Sequence, residues 1–65
     1  MKVRDVIKKV EEDGWVLVSV KGSHRQYKHP TKKGKVTVPG NLGEDMPIGT
    51  YRNIIKQAQL EERKQ

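Results

Sequence analysis

The residues of this chain best suited to chemistry are Gly22, Ser23 and His24, three consecutive positions set among Lys21, Arg25 and Lys28. A histidine at the entrance to a strand can exchange a proton near neutral pH while neighbouring cations hold a phosphate. The Ser23 hydroxyl and backbone N–H suit a phosphate oxygen, although a serine at that place equally well supports a turn. The setting is electrically one-sided. Residues 14–43 carry Lys21, Arg25, Lys28, Lys32, Lys33 and Lys35, both histidines and no carboxylate, while cations and acids balance on either side. The whole net charge of +6 therefore sits in the middle of the chain, which is the mark of a surface built for polyanions. The expected contacts to a polyanion are Lys21, Gly22, Ser23, Arg25, Lys28 and Lys35, with Lys32 and Lys33 adding attraction at longer range.

The same residues argue against other chemistry. His29 lies five positions beyond His24, so on one regular strand the two rings point to opposite faces and do not form an acid-base pair. A strand-end residue packed beside Pro30 is the better reading of His29. With no acid in the segment, a divalent metal would lack its usual oxygen ligands, so neither a metal nor a cofactor is expected. Cysteine is absent, which excludes a disulfide framework and a thiolate zinc site. At 65 residues and 7.5 kDa one domain spanning 1–65 is expected. The longest apolar run, Trp15 to Val18, is too short for a membrane span or a leader, so a soluble, cytoplasmic protein is expected.

The elements that must position these residues follow from spacing. Val3, Val6, Ile7 and Val10 form one apolar stripe, which predicts a helix over Lys2 to Asp13 that stops at Gly14. Three acids, Glu11, Glu12 and Asp13, crowd its C-terminal end, where the helix dipole disfavours them. Trp15 to Val20 and His24 to His29 read as strands joined by a loop at Lys21, Gly22 and Ser23. After a turn at Pro30 to Gly34, Lys35 to Val38 reads as a third strand, and Pro39 to Gly49 as a long loop. Thr50 is the expected N-cap of a second helix, whose apolar stripe is Tyr51, Ile54, Ile55 and Ala58. The order is α-β-β-β-α, an α+β fold with a three-stranded antiparallel sheet and both helices on one face. If Tyr27 faces the helices with Val36 and Val38, then His24, Gln26, Lys28, Lys35 and Thr37 share the open face. Trp15 and Tyr51 are expected to anchor the core rather than to stack on bases.

Taken in order, Gly22-Ser23-His24, then Tyr27, His29 and Pro30, then Val36 to Pro39, then Gly49, Thr50, Arg52, Asn53, Ile54, Lys56, Gln57 and Ala58 closely resemble the HicA family of small toxins from prokaryotic toxin-antitoxin pairs. The resemblance implies a double-stranded RNA-binding-domain-like fold, endoribonuclease activity on mRNA, and a HicB-type antitoxin that covers the active site. His24 matches the family's active-site histidine. Two departures stand out. Gln59 occupies a place where many relatives have glycine, so the second helix is expected to continue into Leu60 to Arg63. Tyr51, Arg52 and Asn53 lack the lysine cluster of true duplex binders, which argues against duplex binding in their manner. From the residues alone, a non-catalytic RNA-binding module is the alternative to a nuclease.

Overall fold

Val3, Val6 and Val10 are buried along one face of α1 (Val3–Glu12), as the spacing predicts, in a computed structural model that describes residues 1–60 of the chain. The helix ends because Gly14 takes a φ of +106°, and the N–H groups of Gly14 and Trp15 turn back to the carbonyls of Glu11 and Val10 at 3.0 and 3.2 Å. This closure satisfies two end carbonyls and drives Trp15 into the core. At the other end, the N–H groups of Val3 and Arg4 donate to the Glu44 and Leu42 carbonyls at 2.8 and 3.2 Å. The long loop thereby fills the donors that a helix start leaves open.

Three antiparallel strands follow in the order β1 (Val16–Lys21), β2 (His24–Lys28), β3 (Lys35–Val38). Their register sets Tyr27 opposite Val36 and Arg25 opposite Val38 on one face, and Gln26 opposite Thr37 and Lys28 opposite Lys35 on the other. Tyr27, Val36 and Val38 are buried against Val3, Val6, Val10, Trp15, Ile54 and Ala58, so the helices cover that face. Burial also pushes the Tyr27 hydroxyl above its ordinary pKa, with the Glu11 carboxylate acting in the same sense. The strand β1 lies beyond the helices and all six of its residues are exposed. An irregularity between Leu17 and Ser19 leaves Val18 as the extra residue of a bulge.

Helix α2 (Ile48–Gln57) departs from the expectation at both ends. It starts before Thr50, because Pro47 in an extended conformation offers its carbonyl to the Tyr51 N–H at 2.9 Å; Thr50 is inside the first turn and the loop before it is shorter than expected. Nor does the helix continue through Gln59, which adopts a φ of +58°. Gln59 and Leu60 donate back to Lys56 and Ile55 at 3.1 and 2.9 Å, the closure usually made with glycine. The Gln59 amide donates to the Lys33 carbonyl at 3.1 Å, and Leu60 packs on the core. Residues 61–63 of the expected extension lie outside the described residues. The order is α-β-β-β-α, the α+β arrangement of a double-stranded RNA-binding-domain-like fold. Among the described residues no helix is long and apolar enough to cross a membrane.

Candidate functional site

The β1–β2 connection is a two-residue turn. Gly22 has a φ of +57° and Ser23 does not share the positive sign, the pattern of a type II′ hairpin turn, which requires glycine first. Lys21 and His24 close this turn as cross-strand partners, a relation that brings side chains within about 5 Å at the Cβ atoms. His24 is exposed, and among the described residues no side chain or carbonyl hydrogen-bonds its ring. The alternation of β2 carries His24, Gln26 and Lys28 along one face, joined by Lys35 and Thr37 of β3. Among the described residues of these strands, no carboxylate belongs to this face. Lys28 and Lys35 are direct partners, a like-charge pairing that weakens a sheet and that a phosphate lying between them would relieve.

Of the expected contacts, Lys21, Lys28 and Lys35 therefore join His24 on the open face, with Gly22 and Ser23 at its end. Arg25 does not. Its register partner is Val38 on the helix side, and its Nη1 donates to the carbonyls of Ser23 and Gly40 at 3.1 and 2.8 Å. The guanidinium ties the hairpin turn to the loop after β3 and so fixes where His24 stands. Lys32 is also withdrawn from long-range attraction: its Nζ donates to Asp13 Oδ2 at 2.6 Å and to the Ala58 carbonyl at 3.2 Å. One ammonium thus neutralises the acid at the end of α1 and caps the end of α2.

His29, the strand-end residue before Pro30, shares Asp13 with this ammonium. Its Nδ1 accepts from the backbone N–H groups of Thr31 and Lys32, both at 3.1 Å. The hydrogen is then on Nε2, which donates to the Asp13 carbonyl at 2.7 Å; the tautomer follows from the bonding pattern. The ring meets Trp15 edge-on, with centroids 5.2 Å apart, and the Trp15 N–H donates to Asp13 Oδ2 at 3.2 Å. Asp13 is the residue at this knot that sequence reasoning missed. The Lys32 hydrogen bond holds its carboxyl below the ordinary 3.8, against the opposing effect of partial burial, with the Lys32 charge and the Trp15 N–H also lowering it. Its one legible signal was an acid at an unfavourable helix end, next to the glycine that stops the helix.

Two surface hollows lie away from His24. One of about 640 Å³ is bordered by Lys2, Pro39, Gly40, Met46 and Thr50, and one of about 530 Å³ by Lys9, Tyr51, Arg52 and Lys56. The face around His24 is open, the shape for a polymer laid across a sheet rather than for an enclosed small molecule. A family model described as HicA toxin of bacterial toxin-antitoxin matches residues 3–60 of the 65-residue chain. No curated protein matches it significantly.

Proposed function

Because the chain belongs to the HicA toxin family, and is thus the toxin of a toxin-antitoxin pair, we propose that it is a metal-independent endoribonuclease that cleaves mRNA with His24 as general acid and base. The observation that carries this reading is the position of His24, exposed at the end of an acid-free sheet face that also holds Lys21, Lys28 and Lys35. The neutral imidazole takes the proton of a ribose 2′-hydroxyl as that oxygen attacks the adjacent phosphorus. The bond from phosphorus to the 5′-oxygen breaks, and the imidazolium returns a proton to the departing oxygen. The products are a 2′,3′-cyclic phosphate and a 5′-hydroxyl. Lys21, beside His24 at the turn, offsets the charge that develops on the phosphorane, while Lys28 and Lys35 at the far end of the strand steer the backbone. Gly22 and Ser23 let the backbone approach at the turn, and Arg25 acts as a positioning residue behind it. A HicB-type antitoxin inhibits by covering His24 and presenting acids to this face.

Loss of a positioned general base lowers rate by about 10²- to 10⁴-fold. Labelled RNA incubated with chelator should be cut by the wild type and left intact by His24→Ala, whereas DNA should resist both. A 3′-hydroxyl product, or an equally active His24→Ala protein, excludes this mechanism. One observation favours the alternative of an RNA-binding module: no protein group among those described orients the His24 ring. The same experiment decides, since that module binds RNA and cuts nothing.

A further inference from the structure

The strand β1 is an uncovered edge of the sheet, and its surface is unusually apolar for a chain of +6 net charge. Val16, Val18 and Val20 are each more than half exposed, and Leu17 is 44% exposed. The opposite edge is treated differently: there the Thr37 N–H donates to Gln57 Oε1 of α2 at 3.1 Å. Among the described residues, nothing outside β2 hydrogen-bonds the backbone of Val16–Lys21. An edge strand with free N–H and C=O groups is a template for another strand, and natural proteins normally protect such edges with charge. Here the side chains between Trp15 and Lys21 are uncharged.

We infer that β1 is the docking edge for an extended segment of the antitoxin, an apolar strand flanked by carboxylates that adds to the sheet as a fourth strand. The inference rests on the reading of the chain as one half of a toxin-antitoxin pair. Charge selects this occupant over a second copy of the chain. Lys21 lies at one end of the edge and Lys28 neighbours Val16 at the other, with no acid in residues 14–43. A second copy would bring the same +6, whereas carboxylates beside an apolar strand would meet both lysines. Adjacent strands stand about 4.8 Å apart, so the added strand runs roughly 10 Å from β2. Chain leaving its end beside Lys21 is then placed to cross the open face at His24. Backbone pairing supplies the anchor, and occlusion of the imidazole follows from where the anchor ends.

The test uses the full chain with its co-expressed cognate antitoxin. Amide hydrogen exchange over residues 16–21 should slow at least about tenfold in the complex relative to the free toxin. Val18→Asn and Val20→Asn should each weaken antitoxin affinity by about tenfold while leaving RNA cleavage by the free toxin and its thermal transition unchanged. Unchanged exchange at residues 16–21 in a complex that forms, with both variants bound as tightly as the wild type, overturns the edge and leaves the pair intact. Failure of the wild type to bind the antitoxin at all overturns both readings. Protection of the same amides through self-association of the toxin alone assigns the edge to a second copy and overturns the inference.

Discussion

His29→Ala should strongly destabilise this protein, whereas His24→Ala should abolish toxicity and leave its stability nearly unchanged. The magnitude for His29 follows from its contacts. Removing the ring loses the bond to the Asp13 carbonyl and strands the N–H groups of Thr31 and Lys32. Thr31 is exposed and its N–H regains water, so two partly buried bonds count, worth about 1–3 kcal/mol together. The edge-on contact with Trp15 adds about 0.5–1.5 kcal/mol. The expected loss is about 2–4 kcal/mol against a total stability of roughly 3–10 kcal/mol for a chain of this size. With a urea dependence of about 1 kcal/mol per molar, the midpoint should fall by roughly 2–4 M. Trp15 is the only tryptophan of the chain and touches His29, so its fluorescence reads the transition directly. The measurement is best made on His24→Ala protein with and without the second substitution. A loss under about 1 kcal/mol would refute the assignment of His29 to the fold.

Acid should weaken the same region. The Asp13 carboxyl is held below 3.8 by Lys32, so its contribution is complete above the unfolded carboxyl value and is lost as pH falls through the lower folded value; an acid-unfolding curve of Asp13→Asn should be less steep there than that of the wild type. At Gly14, a φ of +106° combines with a methyl position 2.8 Å from His29 Nε2, so Gly14→Ala should cost about 1–3 kcal/mol by urea titration, and a neutral result would mean that the helix end can rearrange. Arg25→Gln loses the link between the Ser23 and Gly40 carbonyls and should lower kcat for RNA cleavage about tenfold with KM little changed. A raised KM at constant kcat would instead place Arg25 in RNA binding.

Much of the architecture was legible because burial and spacing agree. Val3, Val6 and Val10 gave α1, and the parity of Tyr27, Val36 and Val38 gave the sheet's two faces, so the company His24 keeps on the open face could be read directly. What could not be read depends on contacts between distant segments. Nothing local distinguishes Lys32 from Lys33, yet the fold brings Asp13 and Ala58 to one of them. Arg25 counts as one more cation in a basic run until the register turns it toward the helices and Gly40 reaches its guanidinium. At Gln59 a residue rule failed: glutamine supports helices, but Leu60 finding the core and the side-chain amide finding Lys33 favour the left-handed turn.

The two histidines bracket β2, and this spacing divides the labour of the strand. The contacts that join the C-terminal ends of the two helices gather at the His29 end, while the His24 end is tethered through Arg25 and otherwise faces water. A substitution around the hairpin can therefore alter the proposed site without endangering the chain's survival as a folded body. An antidote that grips the hairpin end need not deform its target, so a released toxin emerges already competent.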